Sequence, residues 1–500
     1  MKNPLNLIAF DLGSSNGRAF LGCFDGKKIK LEEVHRFENN YVQMGEMIYW
    51  DILHIFSNIK TAFAKYSALY KGELACFGID GWGNDYGLID KNGHLLSNAR
   101  CARHTTDLDM RESHKILSGR DIFFRSGNSS YSINTLYQLH RRLREGDPAI
   151  ENAHAMLMIP DLLSFFCTGE KHSEYTISTT TAMYNPTLND WDRKMLSMFN
   201  INERILMPIL PSGTLCGELL STIAAEAYVN RVPYALVGSH DTASAVASIP
   251  AKTNDNYAFC SSGTWSILGI ETEAPIFTND MYDSNFSNEG TVQGGYRPLV
   301  NITGLWIIQE ARKEWKKNGK DLSYTDITNL VMNTPALQSF IDPSHSDFFN
   351  VVNMPLQIQN YCKRTNQPIP DNEGAIARCV YESLALKYRW AIERLEIFSG
   401  KNIDRLYIVG GGIRNEMLNQ MIADCIGRPV TTGPIEGACV GNLLMQCLAL
   451  GEISDIFQMR EIVRNSFVLT EYEPSSTKKW DDAYHRFLKI QNNDQNSVTL

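Results

Sequence analysis

The stretch Gly238-Ser239-His240-Asp241-Thr242-Ala243-Ser244-Ala245 sets a carboxylate beside an imidazole, just after the apolar run Tyr234-Ala235-Leu236-Val237. That run reads as a short buried strand, and the small residues through Val246-Ala247 suit a closely packed helix. An acid at such a junction stands at the carboxyl end of a strand, where open α/β sheets bind ligands. Its chemistry there is to accept a proton from a hydroxyl held in the cleft. The other role open to Asp241 is to cap the helix it begins, since Asp favours that position.

Small-residue turns elsewhere bear on that choice. Leu7-Ile8-Ala9-Phe10 reads as a strand ending at Asp11, Gly13-Ser14-Ser15-Asn16-Gly17 as a tight turn, and Arg18 to Phe24 as the returning strand. Asp25-Gly26 marks a hairpin, and a third strand runs from about Lys28 to Phe37. Amides in such a turn face phosphate oxygens, and Asp11 at its rim is placed to hold a magnesium ion through water. An ordinary hairpin is the competing reading. The second half of the chain begins as the first did: strand Tyr257–Cys260, turn Ser261-Ser262-Gly263-Thr264, strand Trp265–Ile270. Two such turns at corresponding places carry more weight than one. Further on, the strand Arg405–Val409 runs into Gly410-Gly411-Gly412, with an amphipathic helix expected from Asn415 to Ile426. Three glycines let a flat group approach closely, beside a helix N-terminus.

Gly81-Trp82-Gly83-Asn84 lies between a strand at Ala75–Asp80 and its expected neighbour at Asp85–Asp90. An indole flanked by glycines and carboxylates suits a sugar, whose CH groups pack on the ring while acids and amides take its hydroxyls. A structural Trp at a strand end is the alternative.

The elements that must position these residues alternate between strands and helices, which argues an α/β class. Apolar spacing predicts a helix from Ile52 to about Tyr70, and Pro160 near the start of Ile159–Phe166 marks another that Gly169 ends. Pro429-Val430-Thr431-Thr432 and a helix from Glu436 to Leu450 complete the pattern, with Gly437, Ala438 and Gly441 predicting close packing against a sheet. At 500 residues the chain exceeds one hydrophobic core. The polar run Lys252–Asn256 places a boundary near 248, giving domains 1–247 and 248–500.

Composition narrows the partners. A formal net charge of -9 argues against nucleic acid and anionic membranes. The apolar run Leu5–Phe10 is too short for a signal peptide, and no stretch is long enough to span a membrane. The 11 cysteines are scattered and lack a CxxC pair, against a zinc site or disulfide framework, and fit reduced thiols in a cytoplasm.

The loops Asp11-Leu12-Gly13-Ser14-Ser15, Ser262-Gly263-Thr264 and Gly410-Gly411-Gly412, with the Asp241 junction, resemble the FGGY carbohydrate kinases of the actin-like ATPase superfamily. Asn288-Glu289-Gly290, Asn301-Ile302-Thr303-Gly304-Leu305-Trp306, Pro160-Asp161-Leu162-Leu163, Thr168-Gly169-Glu170, Glu174-Tyr175-Thr176 and Asn185-Pro186 fit its rhamnulokinase branch, in order along the chain. The resemblance implies two actin-like (ribonuclease-H-like) domains with the active site in an interdomain cleft, and ATP and Mg2+ as cofactors. It implies that the sugar meets Trp82, Gly83, Asp85, His240, Thr242 and Asn301, with Asp241 taking the proton of the attacking hydroxyl. ATP is then implied at Gly13, Ser14, Ser15, Asn16, Gly17 and Arg18, at Ser262, Gly263 and Thr264, and at Gly410, Gly411 and Gly412 with Gln309 and Asn415. Magnesium is implied near Asp11. The chain departs from the branch at Gly81 and Asn84, and at His104 and Thr106, where the branch contacts its substrate. L-Rhamnulose is therefore the leading substrate, with L-fuculose or another ketose or deoxy-sugar as alternatives. An actin-like ATPase or a phosphohydrolase on the same scaffold is the other class.

Overall fold

The computed structural model describes residues 4–349 and 351–498, which fall into two compact units. The first comprises Met1–Lys252, Glu271–Pro298 and Glu436–Phe467; the second comprises Thr253–Ile270, Leu299–Ile435 and Val468–Leu500. Two segments beyond residue 248 thus belong to the first unit, one of them because the helix Gly437–Ala449 packs on its sheet.

That first sheet has six strands: β1 (Leu5–Leu12), β2 (Asn16–Phe24), β3 (Ile29–Glu38), β4 (Leu74–Gly81), β5 (Leu215–Glu218) and β6 (Pro233–Ala235). Their order is β5-β6-β4-β1-β2-β3. β1 runs antiparallel to β2 and parallel to β4. The period-2 alternation of side chains sorts β1 between two cores. Ile8, Phe10 and Leu12 face a cluster with Ile55, Ile59 and Phe63 of the helix Ile52–Leu69. Leu7 and Ala9 face Cys439, Leu443 and Leu444 of the helix Gly437–Ala449. A sheet covered on both faces explains the continuous apolar runs.

In the second unit, six strands repeat the arrangement: β7 (Tyr257–Ser262), β8 (Ser266–Gly269), β9 (Tyr296–Ile302, entered from the first unit), β10 (Arg405–Val409), β11 (Val430–Thr432) and β12 (Thr470–Tyr472). They run in the order β9-β8-β7-β10-β11-β12, and Ser287–Gly290 adds a seventh strand beside β9. β7 is antiparallel to β8 and parallel to β10, as β1 is to β2 and β4. The duplication expected from the strand–turn–strand pattern is therefore a duplication of topology.

Two local expectations are corrected. Tyr86–Ile89 does not pair beside β4 but with Ala155–Met158 in a separate two-stranded sheet. Asn84, in the left-handed region at φ 71°, and the bond from the Asp85 amide to the Gly83 carbonyl turn the chain away from β4. Gly441 faces a helix rather than a sheet: a Cβ there would overlap the Ser244 carbonyl, so its absence lets the helix Asp241–Ala247 lie against Gly437–Ala449. Among the described residues the cysteines are all free thiols, and no helix is long and apolar enough to cross a membrane.

Candidate active site

The end of β4 and the stretch after β6 converge at His240. Gly81 pairs with His240 in a parallel bridge, and its amide donates to the Ser239 carbonyl at 2.9 Å. Buried Glu174 holds this junction from beneath. Its carboxylate accepts from the Ser239 amide at 3.2 Å, the Ile177 amide at 3.1 Å, Thr176 Oγ1 at 2.6 Å and Ser212 Oγ at 2.5 Å. Thr176 Oγ1 in turn accepts from the His240 amide at 3.2 Å. Such a network leaves the backbone little freedom at the one point where two carboxyl-end loops meet.

Asp241 is not the helix cap. His240 occupies the cap position without a side-chain cap bond, and Asp241 is the first helical residue. Its side chain is 32% exposed, accepts from Thr242 Oγ1 at 3.2 Å and places Oδ1 3.6 Å from His240 Nε2. Desolvation raises the Asp241 carboxyl above the usual range, with Asp11 adding to the rise and His240 opposing it. A half-exposed acid with spare acceptor capacity is placed to take a proton.

Behind His240 stand two residues with no role assigned from sequence. Glu289 Oε2 lies 3.1 Å from His240 Nδ1, and buried Arg297 lies 3.3 Å from the same carboxylate. They sit on Ser287–Gly290 and on β9, far along the chain, so no local pattern joins them to His240.

The ladder between β1 and β2 sets Asp11 opposite Arg18, and that between β1 and β4 sets Asp11 opposite Asp80. Arg18 bridges Asp11 and Glu436 through its two terminal nitrogens. Burial opposes the Arg18 charge, but Asp11, Cys439 and Glu436 outweigh it and raise its pKa. Cys439 Sγ lies 3.5 Å from Asp11, and donor atoms of Asp11, Glu436 and Cys439 lie within 4.8 Å of one another. Asn442 Nδ2 donates to Asp80 at 2.6 Å. Burial, then Asp11, pushes the Asp80 carboxyl well above its ordinary range. The turn itself is closed by the Gly13 amide on the Asn16 carbonyl at 3.0 Å and by Asn39 Nδ2 on the Gly13 carbonyl at 2.8 Å. Ser14 is half-buried and Ser15 exposed.

The rings of Trp82 and Trp50 lie 4.5 Å apart, tilted by 45°, and both indole nitrogens donate to Asp85, at 2.9 and 2.6 Å. The other Asp85 oxygen accepts from the Ala102 amide at 2.8 Å. Asp85 is thus engaged in holding the Trp82 loop, and burial pushes its carboxyl up to about 6. Gly83 abuts Thr180, where a Cβ would come within 3.1 Å of the hydroxyl. The Asn84 carbonyl accepts from Thr135 and Gln138, while its buried Oδ1 has no hydrogen-bond partner among the described residues. Thr106 caps the helix Asp107–His114 reciprocally with Asp109, and the carbonyl of His104 accepts from Arg141.

The second unit's turn is built from backbone. The Gly263 amide donates to the Trp265 carbonyl at 2.9 Å, and the Leu305 and Trp306 amides donate to the Gly263 and Thr264 carbonyls at 3.2 and 3.0 Å. This fastens the turn to the helix Trp306–Lys317, whose first turn carries half-buried Gln309. The glycine turn lies against it. Gly410 has φ 93° and faces the Ser262 carbonyl, and a Cβ at Gly412 would overlap the Ser262 hydroxyl, whereas one at Gly411 would meet open space. Asn415 caps the helix Glu416–Ile426 by accepting from the Leu418 amide at 3.0 Å. Asn301 pairs with Ile267 in the ladder of β8 and β9 and is half-buried.

The structure therefore brings Asp241, His240 and Gly81 together in one unit, and Ser262–Thr264, Gln309 and Gly410–Gly412 in the other. Residues 6–247 match the N-terminal domain, and residues 258–450 the C-terminal domain, of the FGGY family of carbohydrate kinases. The chain belongs to the FGGY family of carbohydrate kinases. As a member of it, the chain is 36% identical over 484 residues to a rhamnulokinase of Bacteroides thetaiotaomicron, covering 96% of this chain and 98% of that one. It is also 36% identical to a rhamnulokinase of Bacillus subtilis, covering 93% of this chain and 95% of the other. Among solved structures, xylulose kinase from Lactobacillus acidophilus superposes with a TM-score of 0.83 at 14% identity, covering 98% of each chain. Plasmodium falciparum glycerol kinase with ADP superposes with a TM-score of 0.78 at 16% identity, covering 100% of this chain and 99% of the other. At that identity the likeness shows the fold. This FGGY kinase thus carries the actin-like α/β architecture in both units.

Proposed function

We propose that this kinase transfers the γ-phosphoryl group of ATP to L-rhamnulose, giving L-rhamnulose 1-phosphate, with Asp241 as the general base. The observation that carries the mechanism is the placement of Asp241: half-exposed, short of donors, and held by the Glu174 network at the carboxyl end of a sheet. The near-full-length likeness to proteins named rhamnulokinase supports the sugar. Asp241 accepts the proton of the attacking hydroxyl as the O–P bond forms, and the γ-phosphoryl leaves ADP. A base in this role contributes roughly 10²–10⁴-fold.

In the first unit, His240 and Gly83 bind sugar hydroxyls beside the Trp82 ring, which Asp85 positions. The Gly13–Ser15 turn takes phosphate oxygens. In the second unit, Ser262–Thr264 takes phosphate through amides, Gly411 and Gln309 take the nucleoside side, and Asn301 takes a sugar hydroxyl. The carboxylates of Asp11 and Glu436 fit a hard divalent cation such as Mg2+, which prefers oxygen donors, while the Cys439 thiol is of the wrong class. Such a cation supplies charge neutralisation to the phosphoryl oxygens. Arg18 already neutralises these carboxylates, so it is placed to pass to phosphate. We place the reaction in the cytoplasm, where free thiols stay reduced.

The test is ATP consumption screened across ketoses, aldoses and polyols, with mass detection of the phosphosugar. L-Rhamnulose is expected to give the highest kcat/KM. A higher value for L-fuculose or another ketose would move the substrate, and free phosphate without phosphosugar would establish a hydrolase instead.

A further inference from the structure

Arg297 is 0% exposed. Its Nε donates to the Gly290 carbonyl at 2.8 Å, one terminal nitrogen lies 3.3 Å from Glu289 Oε2, and the other is buried without a hydrogen-bond partner among the described residues. Taking a guanidinium and a carboxylate out of water is costly even when they pair, and such pairs are weak evidence for stability alone. Here the pair closes on the active site. Glu289 Oε2 is 3.1 Å from His240 Nδ1, and His240 Nε2 is 3.6 Å from Asp241 Oδ1. The Arg297 nitrogen also comes within 3.4 Å of Nδ1. A carboxylate at the shorter distance requires a donor, so Nδ1 carries a proton and donates to Glu289. The hydrogen bond at one ring nitrogen decides what the other presents.

We propose that Glu289, clamped by Arg297, is a positioning residue: with a carboxylate at each ring nitrogen, it holds His240 through Nδ1 as the doubly protonated ring, so that an Nε2–H faces Asp241 and keeps that carboxylate charged and aimed at the sugar hydroxyl. The inference rests on the reading of Asp241 as the base. Burial pulls the Glu289 carboxyl up, but His240 and Arg297 outweigh it and hold it below the usual range, so Glu289 is an anion at neutral pH. Desolvation drives Asp241 the other way, and His240 is the largest influence opposing this, ahead of the hydrogen bonds from Thr242. The other charged groups facing the chain are Asp11 and Asp80 on the Asp241 side, with Arg18 beside them, and Glu174 and Glu271 on the Arg297 side. None of these touches His240 Nδ1, so its orientation depends on Glu289.

The test is the pH dependence of kcat in Glu289→Gln, from about pH 5 to 9, with thermal melting to confirm folding. Neutralising Glu289 is expected to lower kcat at least ~10-fold at neutral pH and to move the acidic limb upward by about one pH unit, with KM for ATP within about 2-fold. Glu289→Asp, which keeps the charge, is expected to return the limb toward the parent position. A merely structural role would lower the melting temperature and leave the limb in place, and that result in folded Glu289→Gln overturns the proposal. A measurement on the parent enzyme stands independently of any variant. Nitrogen-15 NMR, with the His240 signals identified by their loss in His240→Asn, is expected to show both ring nitrogens protonated at neutral pH, and a ring protonated at one nitrogen only overturns it. Asp241→Asn separates the two readings. If it retains turnover, the base assignment fails; if it is inactive while the Glu289→Gln limb is unmoved, only the positioning role fails.

Discussion

In the first unit, the turn between β1 and β2 sets Asp11 opposite Arg18, with Asp80 on the next strand and Glu436 and Cys439 from a packed helix. In the second, the turn between β7 and β8 sets Ser262 opposite Ser266, whose hydroxyl meets that of Tyr388. The two sheets share a strand order, but one turn is surrounded by ionisable groups and the other by hydroxyls and amides. Charges crowded at low exposure are costly and persist where they meet a ligand's charge or one another. A backbone turn binds phosphate through fixed amide dipoles at little desolvation cost. On the proposed function, the first turn handles changing charge during transfer, and the second holds a ligand in place. Substitutions in the first unit should therefore act on turnover, and those in the second on affinity.

The largest expected effect is at the base. Asp241→Asn should keep nucleotide binding by calorimetry and lose about 10²–10⁴-fold in turnover. Turnover within a few-fold of the parent would remove charge chemistry from the first unit and break the comparison. Next comes Asp11→Asn, expected to cost about 10²-fold in turnover and to raise the magnesium concentration needed for half-maximal rate. An unchanged magnesium requirement would assign Asp11 to Arg18 alone.

A smaller effect sharpens the second turn. Gly411→Val points a side chain into open space, so it should weaken ATP about 10-fold by calorimetry, at an unchanged melting temperature and with sugar affinity intact. Gly412→Ala, which must displace the Ser262 hydroxyl, should lower the melting temperature as well. If Gly411→Val leaves ATP affinity alone, the glycine turn is structural.

The smallest effect is a pH dependence of stability. Burial raises Asp85 from 3.8 to about 6, so the folded state holds this proton more tightly than the unfolded one. The stabilisation is fully present below pH 3.8 and lost as pH rises through about 6. The melting temperature of the parent should exceed that of Asp85→Asn by a margin that narrows over this range. A constant margin would show that Asp85 does not titrate there.

Much of this was legible from order along the chain. Period-2 apolar runs, Asp25-Gly26 and the repeated small-residue turns determine β1 to β3 and β7 to β8, because those contacts are local and the hairpin partners adjoin in sequence. The junction at Asp241 and the glycine turn after β10 were legible for the same reason: each is a strand running straight into its own loop. What tertiary structure alone decided is partnership across long separations. Tyr86–Ile89 reads as a neighbour of β4, but Asn84 turns it to Ala155–Met158. Asp85 is implied at the sugar by the resemblance, and only the fold shows that two indoles and an amide donate to its oxygens. Glu436 and Cys439 reach Asp11, and Glu289 and Arg297 reach His240, only because helix and strand packing closes those loops. A side chain's chemistry is written in its type, whereas its charge state and aim are set by burial and by neighbours that the chain delivers from elsewhere.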